Sequence, residues 1–272
     1  MTTPAENSEV LQGLCAGQNL AVLASAASVL VYMTCWFIAA QVRRRNDIAD
    51  VAWGLGFILA AAVSLVAGNG PPRGVLVSTL VLIWGLRLAW HIHTRNRGKG
   101  EDSRYRKWRE EWGRWFVLRS FLQIFMLQGL LLILVAVPVM VLNGSPSAPF
   151  TWLDGLGLLV WLIGFGFEAV GDWQLLRFKD DPNNKGKLMT SGLWRYTRHP
   201  NYFGEVTLWW GIGLIALSVP GCWWTIIGPL TITLLILKVS GIPMLEKPYE
   251  GRADFQKYRR RTSAFFPVPP RE

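Results

Sequence analysis

Apolar residues in this chain gather into runs of about 20, the length a helix needs to cross a bilayer core, and polar residues collect between the runs. The first run covers about 19–40 and stops at Gln41-Val-Arg-Arg-Arg45. A second, about 48–67, ends in the turn Gly68-Asn-Gly-Pro-Pro72. The third, about 75–93, gives way to a strongly basic loop over 94–115, and a fourth covers about 116–142. The fifth, about 150–176, leads into a polar stretch that closes at Pro200. The sixth and seventh, about 202–218 and 222–239, form a hairpin at Val219-Pro-Gly221. Runs of this length predict helices, since a barrel strand crosses in about ten residues. The expectation is an all-α integral membrane protein of seven transmembrane helices, a single domain over 1–272.

The Lys and Arg residues give the orientation. Arg43, Arg44 and Arg45 mark the first loop, and Arg95, Arg97, Lys99, Arg104, Arg106, Lys107, Arg109 and Arg114 mark the third. Lys179, Lys185, Lys187, Arg195 and Arg198 mark the fifth, and the tail from residue 241 is basic as well, whereas the opposite side carries almost only Arg73. The alternation holds through all seven runs: N-terminus outside, C-terminus cytosolic. Residues 1–18 then form an extracytoplasmic segment, acidic and without the basic start of a cleaved signal, so the first run is retained.

The chain is 51% hydrophobic with a net charge of +10. A soluble nucleic-acid binder would share the charge but not the bilayer-length runs, so nucleic acid is excluded as a partner. Membrane lipid is the expected surrounding, and no obligate protein partner is evident. Cys15, Cys35 and Cys222 have no metal or redox spacing. His91, His93 and His199 make no H-E-x-x-H, and His91 and His93 project to different sides of a helix, so no metal site is expected.

The stretch Gly192-Leu-Trp-Arg-Tyr-Thr-Arg-His-Pro-Asn-Tyr-Phe-Gly-Glu205 carries the densest chemistry. Arg forms paired, charge-assisted hydrogen bonds to phosphate oxygens, which suits Arg195 and Arg198, with His199 beside them. Glu205 follows at once inside apolar sequence, where a carboxylate marks a ligand or partner. Asp50, Arg87, His91, Glu168, Asp172, Lys238 and Glu246 also fall inside or at the edge of apolar runs. Most stand at helix ends that face the cytosol, so they form one layer there. Singly, each equally suits a snorkelling side chain or an ion pair between helices, and for Lys238 snorkelling is favoured. Together, beneath basic loops and beside Asn96, Asn201 and Tyr202, they predict a site for a phosphorylated nucleotide. No G-x-G-x-x-G follows a strand, so a Rossmann site is absent. The tail 241–272, with Glu246, Tyr249, Phe255, Tyr258 and Phe265-Phe-Pro267, reads equally as a cytosolic lid closing over the cofactor and as a segment lying on the membrane surface.

Asp50-Val-Ala-Trp-Gly-Leu-Gly-Phe57, Asn96-Arg-Gly98, Asp172, the stretch 192–205 and the Glu246…Tyr258 tail resemble the steroid 5α-reductase family in its bacterial branch. The resemblance implies a seven-helix enzyme of the bacterial inner membrane. It would take hydride from NADPH and reduce the C4–C5 double bond of a 3-oxo-Δ4 steroid or similar enone lipid. It places Asp172, Asn201, Gly204 and Glu205 at NADPH-binding positions. Arg45, Arg95, Asn96, Arg97, Glu168, Lys179, Arg195, Tyr196, Arg198, His199, Tyr202, Lys238, Glu246 and Tyr258 complete the expected cofactor set. The animal enzymes hold the steroid carbonyl with a Gln-Glu pair on the second helix and a Tyr on the third. Here Asp50 and Trp53 stand near that pair, the third run has no Tyr, and Arg87 and His91 are its polar residues. Asp50, Trp53, Arg87 and His91 are therefore the catalytic candidates, with Asp50 donating only if burial away from cations keeps it protonated. The R-H-P-x-Y-x-G pattern also resembles membrane methyltransferases of isoprenylcysteine or phospholipids, whose corresponding loop holds S-adenosylmethionine. A transporter would place its charges at the midplane, whereas here they sit to one side.

Overall fold

The computed structural model describes residues 4–98 and 100–271, with side chains from Gly17 onward. It is all-helical, and among the described residues no strand forms beyond one isolated bridge between Thr197 and Ser263. In chain order the helices are α1 (Pro4–Arg43), α2 (Ile48–Ala67), α3 (Pro72–Asn96) and α4 (Ser103–Trp112). After them come α5 (Phe116–Arg119), α6 (Leu127–Asn143), α7 (Trp152–Asp180) and α8 (Pro200–Leu217). The last are α9 (Ile227–Leu234), α10 (Ile242–Glu246) and α11 (Ala253–Arg261). π-helical turns at Ser120–Met126 and Leu235–Val239 join α5 to α6 and extend α9.

Six helical stretches are long and apolar enough to cross a membrane: Gly17–Arg43, Ile48–Ala67, Pro72–Asn96, Ser103–Asn143, Trp152–Asp180 and Trp223–Tyr249. The chain is a multi-pass membrane protein. The sixth predicted run is helical as α8 but is not among these six, because its first turns carry Asn201, Tyr202 and Glu205. Helix α1 begins at Pro4, so residues 4–18 run into the first apolar run as helix. Much of the predicted basic loop is helical too. At about 1.5 Å per residue, the stretch from Ser103 to Asn143 is far longer than a bilayer core of roughly 30 Å, so its charged start lies outside the hydrocarbon.

Local sequence explains the helix starts. Pro72 and Pro200 occupy first-turn positions of α3 and α8, where a missing N–H costs nothing. Asp102 caps α4 by accepting the Arg104 backbone N–H at 2.9 Å, and Thr151 with Asp154 forms a capping box on α7.

The chain divides into two compact units, Met1–Phe150 with Val219–Thr225 and Thr151–Ser218 with Ile226–Glu272. In the first, α1, α2, α3 and α6 pack around Trp84, Phe57, Met33 and Leu132. Asn143, fully buried, ties three of these helices together. Its amide nitrogen donates to the Ala61 carbonyl at 3.0 Å and Ser64 Oγ at 2.7 Å, and its Oδ1 accepts from Ser78 Oγ at 3.2 Å. Asn143→Leu is expected to lower stability by about 1–3 kcal/mol, the cost of stranding buried acceptors, as read by thermal unfolding in detergent.

Candidate functional site

In the second unit, α7 and α8 run antiparallel along a seam of glycines seven residues apart: Gly157, Gly164 and Gly171 on α7, Gly204 and Gly211 on α8. A Cβ at Gly164 would stand 2.4 Å from the Leu208 backbone nitrogen, and one at Gly204 2.4 Å from that of Glu168. Small residues let helix backbones touch in this way, and a seven-residue period keeps them facing along the whole contact. The seam places the last turns of α7, bearing Glu168 and Asp172, against the first turns of α8, bearing Asn201, Tyr202 and Glu205.

There the Asn201 amide nitrogen donates to Asp172 Oδ1 at 3.1 Å. The other end of that amide, Asn201 Oδ1, is buried and accepts no hydrogen bond among the described residues. Glu168 and Asp172, one turn apart, are 2% and 6% exposed, and Glu205 is half-buried. Three carboxylates and one unsatisfied amide oxygen thus collect where two helix backbones touch. The bare Asn201 Oδ1 among them favours a hydrogen-bond donor.

The loop leading into α8 is held on both sides. Gln174 of α7 accepts the Leu193 N–H at 2.9 Å, and the Trp194 indole donates to the Gly171 carbonyl at 3.1 Å. From the tail, Arg198 N–H bonds the Ser263 carbonyl at 2.8 Å and Thr197 Oγ1 bonds that of Phe265 at 2.9 Å. Tyr258 donates to the Trp194 carbonyl, and burial pushes its phenol up, so it stays a donor.

Arg198, His199 and Glu246 form a buried cluster. Glu246 Oε1 lies 2.8 Å from Arg198 Nε and 2.9 Å from His199 Nε2, and Oε2 accepts from Arg198 Nη2 at 3.1 Å. Arg198 Nη1 reaches the Thr262 and Arg259 carbonyls. With its donors turned inward and only 7% exposure, Arg198 does not fit the phosphate role read from sequence. It anchors the tail. His199 and Glu246 likewise serve the anchor, with the His199 ring stacked on Tyr202. Arg195, Tyr196 and Lys179 are exposed in the same unit, and Lys238 is exposed on the second π-helical turn.

The first unit holds the other candidates. Asp50 Oδ1 accepts the Tyr105 hydroxyl at 2.8 Å, and Arg104 Nη2 stands 3.4 Å from Oδ2. Asp50 is therefore not remote from cations, contrary to the condition set for it. Tyr105, buried on α4, lies outside the third run in a stretch whose sequence reads as a basic loop. Its signal lay in a Tyr embedded among charges in a basic segment. Trp53 stacks edge-on against Phe57. Arg87 and His91 stand one turn apart on α3, sharing a face. Arg95 bonds the neighbouring Asn96 side chain at 3.2 Å, and Arg97 is exposed. Arg45, expected to meet cofactor, instead bonds Asp47 at 2.7 Å. Arg109 similarly pairs with Glu101 at 2.9 Å. Burial acts to raise the Asp102 carboxyl, but hydrogen bonds and charge from Arg104 outweigh it and hold the group below its usual range. Much of the basic loop is thus neutralised locally. Among the described residues no group of His, Cys, Asp and Glu is set to hold a metal.

The model of a family described as a protein of unknown function, DUF1295, matches residues 36–262. The chain belongs to the DUF1295 family. The DUF1295 match takes in both polar clusters, from Asp50 to Tyr258. The chain is also 28% identical over 193 residues to the uncharacterized protein C594.04c of Schizosaccharomyces pombe (strain 972 / ATCC 24843), a stretch that is 62% of this chain and 55% of that protein. The chain thus spans about half the length of that curated relative. No solved structure matches.

Proposed function

We propose that this chain is a seven-span membrane reductase, N-terminus outside and tail cytosolic, that reduces the C4–C5 double bond of a 3-oxo-Δ4 steroid or similar enone lipid with NADPH. The observation that carries the reading is the Asp172–Asn201 pair with its buried, unsatisfied Asn201 Oδ1. A nicotinamide carboxamide offers an N–H₂ donor to such an oxygen, and the residues present fit that end of the cofactor. Asn201, Asp172, Tyr202 and Glu205 would hold it, with Arg195 and Lys179 proposed for its phosphates. Bound there, NADPH supplies a hydride to the β-carbon of the enone.

The chain's own part is to stabilise the charge that then develops on the carbonyl oxygen. The Asp50–Tyr105 pair suits this duty. Tyr105 presents the hydroxyl, and Asp50 holds it in place at 2.8 Å. The Tyr105 hydrogen, given to Asp50 as the pair stands, would turn to the developing oxyanion, and Arg104, 3.4 Å from Asp50 Oδ2, would answer the carboxylate left behind. Trp53 would line the apolar substrate.

In detergent, NADPH is expected to raise the unfolding temperature, and Asn201→Ala to weaken its binding by about tenfold, the worth of one hydrogen bond. Tyr105→Phe is expected to cut enone-dependent NADPH consumption by about 100-fold or more while leaving NADPH affinity intact. Absence of stabilisation by NADPH would remove the reading.

A second reading rests on one observation. Asp172 and the bare Asn201 Oδ1 meet at the start of α8 while Arg198 is spent on Glu246. That balance suits the sulfonium and ammonium of S-adenosylmethionine in a membrane methyltransferase. Stabilisation by S-adenosylmethionine but not NADPH would select it.

A further inference from the structure

A cavity of about 320 Å³, within the range of small-ligand sites, opens in the second unit between the 190–195 loop and α11. Arg195, Lys257 and Arg261 line it, with Tyr258 and Thr262 in its wall. Arg195 and Lys257 have no acidic partner among the described residues. Arg261 spends only Nε, on the Arg271 carbonyl at 3.3 Å. The one acid in the lining, Asp254, is already paired with Arg252 at 2.6 Å. Three cations therefore face one small space with no internal charge to answer them. Keeping like charges together is unfavourable unless an anion joins them, and guanidinium groups match phosphate oxygens in paired geometry.

The walls are fixed. The Tyr258 hydroxyl is held by the Trp194 carbonyl, and the Thr262 carbonyl by Arg198. Beside the cavity, Val268 N–H bonds the Tyr196 carbonyl at 3.1 Å, so the last residues run along the loop. Tyr196, Phe266 and Val268 there expose 43%, 65% and 45% of their surface. A cationic hollow with an apolar margin suits the phosphate of an amphiphilic molecule.

We propose that this cavity is a phosphate-recognition site, taking a phosphate ester through Arg195, Lys257 and Arg261. The ester belongs either to a nucleotide or to an anionic phospholipid headgroup. The nucleotide case rests on the reductase reading, where the cavity would choose NADPH over NADH by the extra phosphate. The lipid case stands without that reading.

The test uses the full chain and a Lys257→Glu, Arg261→Glu double variant, both positions being exposed. An unchanged unfolding temperature certifies the variant's fold, and Lys257→Ala serves as the milder second variant. NADPH and NADH are titrated in detergent, and lipid enrichment is read after capture from nanodiscs of mixed phosphatidylglycerol and phosphatidylcholine. A fall of about tenfold or more in NADPH affinity with NADH unchanged supports the nucleotide case. Loss of phosphatidylglycerol enrichment with NADPH binding unchanged supports the lipid case. If the wild type binds NADPH and the variants bind it equally and enrich lipid equally, the cavity proposal falls while the reductase reading survives. If the wild type ignores NADPH yet enriches phosphatidylglycerol through these residues, the reductase reading falls while the cavity stands. If it binds neither, both fall.

Discussion

Gly164→Leu is expected to unfold the second compact unit, whereas Gly166→Ala, two residues along the same helix, is expected to leave it intact. The difference is one of contact. A Cβ at Gly164 would lie 2.4 Å from the Leu208 nitrogen and 2.6 Å from the Gly204 carbonyl oxygen, both backbone atoms that cannot rotate away. At Gly166 nothing lies within 4 Å. Forcing the helices apart loses the close packing on which association within a bilayer depends, because lipid tails are as apolar as the helix surfaces. Overpacking of a core costs about 1–3 kcal/mol and occasionally more, and a clash with backbone belongs at the upper end. Gly166→Ala should be neutral or gain up to about 1 kcal/mol from helix propensity. Unfolding temperature in detergent distinguishes the two. Equal melting of both variants would show that the seam is not what holds α7 to α8. Because Asp172 and Asn201 meet only through this seam, Gly164→Leu should also abolish whatever ligand binding the wild type shows.

The seam also shows how far the sequence can be read. Apolar run lengths gave four of the six stretches to within a few residues. The fourth run already starts as helix at Ser103 and the last continues to Tyr249, because helix runs on into polar sequence that the bilayer length does not govern. The same rule failed to grade α8, whose polar first turns are tolerated by close packing on α7 rather than by its own apolarity. Charged residues near helix ends were visible, Glu168, Asp172 and Glu205 among them. Partner choice was not visible. Arg198 reads as a phosphate ligand when only its neighbours in the chain are seen, yet its partner Glu246 is 48 residues away. Arg45 reads likewise and is answered by Asp47, two residues on. Tyr105 escaped for the converse reason. It sits in a segment read as loop, and only the fold of α4 brings its hydroxyl to Asp50.

Glu246→Leu is expected to destabilise the second unit by about 3–5 kcal/mol, the range for removing one partner of a buried ion pair. The loss is mostly the stranding of the Arg198 guanidinium, which is only 7% exposed. Attraction surrendered is the smaller part, since burying both ions already costs much of what their pairing returns. Arg198→Met on the Glu246→Leu background should therefore recover part of the loss. Recovery stays partial because Arg198 Nη1 also satisfies the Thr262 and Arg259 carbonyls, which the double variant leaves bare. The exposed Arg252–Asp254 pair supplies the contrast. It is shorter, at 2.6 Å, yet Arg252→Ala should leave the unfolding temperature essentially unchanged, because water screens both charges. Thermal unfolding and protease cleavage between α10 and α11 read all four proteins. In Glu246→Leu the tail should become cleavable before the helices melt, since Arg198 is its buried anchor to the loop before α8. A Glu246→Leu protein as stable and as protease-resistant as the wild type would show that the tail is held instead by the Thr197 and Tyr258 hydrogen bonds alone.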